Sequence, residues 1–293
     1  MNATHRSMLL MALFVALWTS VEAVASNVLR AYSPYQVVWT RYAVHLLFML
    51  LMWGWRDPQS LWRTRRPMYQ LGRAQLMLAM PASWAMALEA GVHGSEIMAV
   101  FWLAPLMILG LVRKPADERA GRVDWVIAIL AYGGVLLVLE PHRWPGPAPM
   151  LLPIVMGFTF AAYAVMTRSL RSESLRANLF YTALGVFVPL SLAMPAVWVT
   201  PTPRDSLVMV LIGLLGWATL YALDRAAAAG PLYRSAPIAF LQLPLAVALS
   251  WLSTGFRPDL HHAIGGGAIL LLLTWAWFRW RSISGEALSE RAT

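Results

Sequence analysis

The sequence contains no cysteine and few charged residues. The lack of cysteine excludes disulfides, thiol catalysis, iron–sulfur clusters and cysteine zinc sites. Charged residues make up 13% of the 293 residues, whereas hydrophobic residues make up 59%. A chain of this composition cannot cover an apolar core with a polar surface, so lipid must be the solvent around most of it.

Catalytic signatures are also missing. The sequence has no phosphate-binding loop, no Gly-x-Ser-x-Gly elbow and no His-Glu-x-x-His motif, so it is not expected to be an enzyme. The adjacent His261 and His262 are weak evidence for a metal without further ligands, and we interpret them as a solvated pair. We therefore predict neither a metal site nor a cofactor.

Apolar runs recur about every 25 to 30 residues along the whole chain, which leaves no room for a separate globular domain. A bilayer core roughly 30 Å thick needs about 20 apolar residues per helix. Runs of that length predict an all-α integral membrane protein with ten transmembrane helices. They cover residues 7–29, 35–55, 74–92, 95–112, 125–140, 150–170, 177–199, 206–226, 236–253 and 263–280.

Positive charge is distributed unevenly between the two sides of these spans. Of the 23 Lys and Arg residues, only Arg30, Arg143, Arg204 and Arg257 lie in the loops of one side. Arg41 lies within a span, and the others, including Arg73 before the third span, are assigned to the opposite side. Because cytoplasmic loops retain positive charge, both termini are predicted to be cytoplasmic, in a membrane of the bacterial inner-membrane type. This bias explains the net charge of +9 without a nucleic-acid partner.

Weak internal similarity indicates two five-helix repeats, at 1–145 and 146–293. Ala87-Leu88-Glu89 in the third span corresponds to Ala222-Leu223-Asp224 in the eighth, and Pro105-Leu106 in the fourth to Pro244-Leu245 in the ninth. Since five is an odd number, the second repeat must be inserted upside down. This predicts a pseudo-two-fold axis in the membrane plane and a binding site between the halves.

The chain resembles the EamA-type transporters of the drug/metabolite transporter superfamily. The residues that carry the resemblance are the Ser33-Pro34 turn, Arg41, Pro105, Glu118-Arg119, Trp125, Gly133-Gly134-Val135, Pro244 and Gly265-Gly266. The resemblance implies a secondary transporter of alternating access, commonly an exporter of metabolites, and leaves the substrate open.

Ionisable residues inside spans are costly and therefore mark candidate functional positions. Glu22 and Arg41 are both predicted to lie roughly 10 Å below the same surface, where they could pair across a hairpin. Further polar residues of that side are His45, Glu89, His93 and Glu96. Their negative balance favours a cationic, amine-bearing or proton-coupled substrate. The alternatives are a salt bridge that only fixes helix register and, for Glu89 and Glu96, a solvated position at the interface.

Two aromatic faces accompany carboxylates. Trp18 and Glu22 are four residues apart, and Trp217, Tyr221 and Asp224 follow at helical spacing, so each set shares a helix face. Aromatic rings beside a carboxylate can hold an organic cation or an amino acid. The alternative is ordinary packing between helices.

These observations predict a transporter for small organic metabolites. We expect an exporter of amino-acid-like or amine-bearing compounds, with or without coupling to protons, acting as a monomer or homodimer. The alternatives are an importer of organic cations and a non-transporting membrane assembly or lipid-interacting subunit.

Overall fold

The computed structural model describes residues 2–112, 120–142 and 146–289, with side chains described as far as Trp280. Several residues named above lie outside these ranges, among them Glu118, Arg119 and Arg143. The described part of the chain is entirely helical, as predicted. Its long helices are α1 (Ala3–Val28), α2 (Pro34–Gly54), α3 (Pro67–Glu89), α4 (Gly94–Leu111), α5 (Arg122–Leu139), α6 (Pro147–Ser169), α7 (Leu175–Ser191), α8 (Pro203–Ala229), α9 (Leu232–Thr254) and α10 (Leu260–Ser289).

Eight of these ten described helices are long and apolar enough to cross a membrane, all except α3 and α7. Helix α7 has only 17 residues. Helix α3 begins at Pro67, whereas the third span was predicted to begin at residue 74. That prediction was wrong because Arg73 was taken as a loop charge, although it lies within the second turn of the helix.

Helices α4 and α9 are both discontinuous. Helix α4 changes direction between Phe101 and Ala104, just before Pro105. Helix α9 begins with one α-helical turn, continues as the 3-10 segment Ala236–Leu241 and becomes α-helical again from Gln242. Broken helices in corresponding positions of two repeats are typical of transporters, since their free backbone groups can serve a binding site.

The helices pack in a pattern that repeats when the two halves are exchanged. Helix α1 packs along α8, and α6 packs along α3; α2 contacts α8, as α7 contacts α3. Helix α5 packs on α10. Two five-helix copies related by a two-fold rotation would produce this pairing. The two repeats stay a prediction, and their boundary at residue 145 falls outside the described residues.

The contact between α5 and α10 depends on two glycines. A Cβ atom added at Gly134 would lie 2.9 Å from the backbone oxygen of Gly265, and one added at Gly265 would lie 2.7 Å from the oxygen of Gly134. The two backbones can approach this closely because neither residue has a side chain. The predicted closing helices of the two repeats therefore pack directly against each other.

The loops define two ends of the bundle. We call the end formed by loops 29–33, 90–93 and 255–259 the outer end, following the charge distribution, and the opposite end, formed by loops 55–66 and 170–174, the inner end. This orientation stays a prediction.

Because the chain has no cysteine, single-cysteine labelling can test the orientation directly. A membrane-impermeant maleimide added to intact cells should label Ala31→Cys, which is exposed at the outer end. It should label Gln59→Cys, exposed at the inner end, only after the membrane is permeabilised. The reverse labelling pattern would invert the orientation.

Candidate functional site

The described residues enclose a cavity of about 810 Å³ at the outer end of the bundle, between α1, α8 and α9. This volume lies within the range of about 300 to 1,000 Å³ that is usual for small-molecule sites. Its lining is mixed, with hydroxyl, amide and charged groups among small apolar ones. The polar lining residues are Thr19, Glu22, Ser26, Asn27, Arg30, Arg204, Asp205, Ser250, Ser253 and Thr254.

Glu22 is the carboxylate of the cavity that lies deepest in the bundle. Its Oε2 accepts a hydrogen bond from Nε2 of Gln242, which is the residue where the 3-10 segment of α9 returns to α-helix. Trp18, one turn nearer the inner end of α1, lies against the same carboxylate. The break in α9 therefore places the amide of Gln242 within hydrogen-bond distance of Glu22, the one acidic residue that α1 contributes to the cavity wall.

The predicted ion pair between Glu22 and Arg41 is not formed among the described residues. Arg41 extends toward Gly216 on α8 instead. Its guanidinium carbon lies 5.6 Å from the centre of the ring of Tyr42, the next residue of α2. Its Nε is buried and has no hydrogen-bond partner in the described structure. The two groups therefore share neither an ion pair nor a hydrogen bond, and Arg41 acts on Glu22 only through space.

Arg41 reaches this position because Gly216 on α8 has no side chain. A Cβ atom at Gly216 would collide with the Nε of Arg41 and lie 3.0 Å from its guanidinium carbon. His45, one turn further along α2, is buried; its ring meets that of Tyr42 edge-on at 4.8 Å, and its Nε2 has no partner in the described structure. This part of α2 therefore presents two basic side chains with unused hydrogen-bonding atoms.

We predict that Gly216→Ala displaces Arg41 and lowers stability by about 1 to 3 kcal/mol, the usual cost of overpacking. Thermal unfolding in detergent measures this effect. Gly267→Ala is the matched control, because a Cβ atom there meets nothing within 4 Å and alanine is the better helix former. Equal unfolding temperatures for the two variants would contradict the close packing of Arg41 on α8.

Trp18 belongs to an aromatic cluster between the cavity and the inner end. Its ring centre lies 5.4 Å from that of Phe160, 5.6 Å from Phe101 and 5.9 Å from Trp102. Phe101 and Trp102 lie at the break in α4. The cluster joins α1, α4 and α6 and lies on the inner side of Glu22.

The other acids of the predicted cluster lie elsewhere. Glu89 is exposed at the end of α3, as expected for a solvated interfacial group. Glu96 is only 1% exposed, so the expectation that it is solvated was wrong. Its carboxylate accepts hydrogen bonds from the Ser95 hydroxyl at 2.9 Å and the His142 backbone N–H at 3.1 Å. Glu96 therefore anchors the loop that follows α5.

Trp217 and Tyr221 do not line the cavity. Their ring centres lie 5.4 Å apart, and Trp217 packs 4.7 Å from Phe48 and 6.0 Å from Trp53 on α2. They occupy the interface between α8 and α2, whereas Asp224 faces α3. Trp217 and Tyr221 therefore lie against α2 and Asp224 lies against α3, so the three residues do not form one face toward the cavity.

Asp224 pairs with Arg73 at the inner end. The distance from Arg73 Nη1 to Asp224 Oδ1 is 3.5 Å, and both side chains are almost fully buried. The assignment of Arg73 to a cytoplasmic loop was wrong, since this arginine is 0% exposed. Both Nη atoms of Arg73 donate hydrogen bonds, whereas its buried Nε has no partner in the described structure.

Four helices supply the partners of Arg73. Its Nη1 donates to Thr167 Oγ1 on α6 at 2.8 Å, and its Nη2 donates to Thr182 Oγ1 and the Asn178 carbonyl on α7 at 2.9 and 2.6 Å. Gln70 Oε1 accepts a further bond at 3.1 Å, and Gln70 in turn donates to Asn178. With Asp224 on α8, this Arg73 network ties α3, α6, α7 and α8 together near the inner end.

Residues 5–140 match the EamA-like transporter family. The fold agrees with a solved crystal structure at a TM-score of 0.82, covering 92% of this chain and 96% of that one at 17% identity. Over its first half, the chain is therefore similar to EamA-like transporters. The matches are those of a multi-pass membrane transporter of small metabolites and not of an enzyme, and they agree with the resemblance seen in the sequence.

Similar curated proteins are transporters as well. The riboflavin transporter of Rhizobium johnstonii is 27% identical over 71% of this chain and 69% of its own length. The S-adenosylmethionine uptake transporter of Rickettsia bellii is 25% identical over 69% of this chain and 70% of its own. The riboflavin transporter of Vibrio cholerae is 24% identical over 87% of this chain and 90% of its own length.

Proposed function

We propose that this protein is an alternating-access transporter that takes up a small metabolite, and that the cavity between α1, α8 and α9 is its outward-open binding site. The observation that carries the proposal is the asymmetry of the bundle. The cavity lies at the outer end, whereas the aromatic cluster lies on the inner side of Glu22 and the Arg73 network holds α3, α6, α7 and α8 together near the inner end. One open and one sealed side is the arrangement that alternating access requires.

The cavity favours a substrate with many polar groups. The hydroxyl groups of Ser26, Ser250 and Ser253 line the cavity wall. Arg30 and Arg204 line it near the outer end. A metabolite with a planar heteroaromatic ring and a polar chain could place the chain against these groups and the ring near Trp18. Riboflavin and S-adenosylmethionine, which the names of the relatives give, both have this chemistry. They support uptake of such a molecule over the predicted export of an amine.

Glu22 supplies the charge change that couples binding to transport in this proposal. A ligand shifts an equilibrium between two states only when it binds them differently. Glu22 faces the cavity in the outward-open state and would be enclosed when α1 closes toward α8 and α9. A proton or a cationic substrate group at Glu22 would then be stabilised differently in the two states.

Uptake by purified protein in liposomes tests the proposal. We expect time-dependent uptake of labelled riboflavin or S-adenosylmethionine above that of protein-free liposomes, with increased initial rates under an inward proton gradient. Counterflow distinguishes transport from binding: excess unlabelled compound inside the liposomes should increase the uptake of labelled compound from outside. Absence of flux for both compounds would contradict the proposed substrate class, and flux only in the outward direction would restore the export hypothesis.

A further inference from the structure

A second polar cluster lies at the outer end, at the start of α10, away from the cavity. Ligand atoms of Asp259, His261 and His262 all lie within 4.8 Å of one another. The two imidazole rings are 4.3 Å apart between their centres. Two imidazoles and a carboxylate at this separation can coordinate a single metal ion.

Glu140 approaches this cluster from the end of α5. Its Oε1 lies 3.2 Å from His261 Nδ1, and its backbone adopts a left-handed conformation with φ of 41°. When Nδ1 carries the proton and donates it to a carboxylate, Nε2 keeps its lone pair, which is the form of histidine that binds metals. Glu140 is therefore a positioning residue that sets the tautomer and orientation of His261.

His262 has an unused nitrogen. Its Nδ1 is buried and has no hydrogen-bond partner among the described residues, although a buried polar atom without a partner is costly. The ring is held edge-on by Phe256 at 5.3 Å. An ion bound at this nitrogen would satisfy it. Solvent, which the sequence predicted around both His261 and His262, does not reach this buried nitrogen.

We infer that Asp259, His261 and His262 form a binding site for a divalent transition-metal ion, with Zn²⁺ the best match. Imidazole ligands select zinc and related ions over Mg²⁺ and Ca²⁺, which prefer oxygen, and a carboxylate commonly completes such a set. Through Glu140, the site joins the outer ends of α5 and α10. These are the two helices that already pack through Gly134 and Gly265. Bound metal would therefore stabilise the contact between the closing helices of the two repeats.

Isothermal titration of the full chain with Zn²⁺ tests this site, using protein purified in detergent without a polyhistidine tag. We expect one Zn²⁺ per chain and a rise in unfolding temperature that EDTA reverses. His261→Asn and His262→Asn should each weaken Zn²⁺ affinity by about a hundredfold, and Asp259→Asn by about tenfold. Glu140→Ala should weaken it by about tenfold, because His261 loses its orienting partner. Excess Mg²⁺ should not compete.

His93→Ala is the matched control, since His93 is an outer-end histidine whose side chain is 67% exposed and which lies outside the cluster. Its Zn²⁺ affinity should equal that of the unmodified protein. Size-exclusion chromatography identifies variants that fail to fold, and these are replaced by the corresponding glutamine variants. Absence of saturable one-to-one binding, or binding that both histidine variants retain, would overturn the proposal. Neither result depends on which metabolite the protein transports.

Discussion

Glu22→Gln is expected to lower the initial rate of substrate uptake by at least about tenfold and to abolish its dependence on a proton gradient. A hydrogen bond to a charged group is worth about 1.5 to 3 kcal/mol, and tenfold corresponds to about 1.4 kcal/mol. Glutamine keeps the size of the side chain and can still bond the Gln242 amide, so the fold should be retained. The uptake rate is measured in liposomes across a series of external pH values.

The control for this experiment is Asp57→Asn, which removes an exposed carboxylate in the loop after α2. Its transport and pH profile should match those of the unmodified protein. A second variant, Gln242→Leu, removes the amide donor and leaves the Glu22 charge. It should change the apparent affinity for substrate and keep the proton dependence. A Glu22→Gln protein that retains proton-driven uptake would show that Glu22 is only a structural acceptor.

Arg73→Gln is expected to have the largest effect on stability, about 3 to 5 kcal/mol. Removing one partner of a buried ion pair leaves the other charge uncompensated, and Asp224 is 2% exposed. Arg73→Lys should also destabilise, because one ammonium group cannot reproduce the bonds that the guanidinium makes to α6 and α7. Thermal unfolding in detergent and the yield of monodisperse protein measure both effects.

The double variant Arg73→Gln with Asp224→Asn separates charge from hydrogen bonding. It should recover part of the lost stability, since no buried charge stays unpaired. Arg56→Gln, at an exposed arginine after α2, is the control and should change stability by less than about 0.5 kcal/mol. If Arg73→Gln unfolds at the same temperature as the control, the Arg73 network does not hold the inner end together.

Much of the fold could be predicted from sequence because each crossing needs its own apolar run. Pro105 and Pro244 were interpreted only as evidence for internal similarity, and the breaks were not predicted. Pro105 follows the break in α4, whereas the irregular segment of α9 precedes Pro244 and contains Pro237. The failure at Arg73 has a simple reason. In the sequence, an arginine in the first two turns of a helix cannot be distinguished from an arginine in the loop before it. The acceptors of Arg73 on α6 and α7 are also about a hundred residues away in sequence.

The candidate site was predicted less completely. Glu22 was recognised because a carboxylate within an apolar run is conspicuous, but its partner Gln242 is neutral and carries no comparable signal. Spacing could have indicated the inner network, since Gln70 and Arg73 share one face of α3, and Asn178 and Thr182 share one face of α7. The pairing of Arg73 with Asp224 follows only from the tertiary packing of α3 and α8. Likewise, the fold alone brings Glu140 to His261.

Modification of one cavity residue tests the central claim most directly. Ser250→Cys places the only thiol of the chain on the α9 wall of the cavity. We predict that an impermeant maleimide added from the outer side labels this thiol, that substrate protects it, and that labelled protein loses uptake. Labelling of Ala31→Cys, which is exposed in the outer loop 29–33 and does not line the cavity, should leave uptake unchanged. Full labelling of Ser250→Cys with undiminished uptake would contradict the assignment of this cavity as the transport pathway.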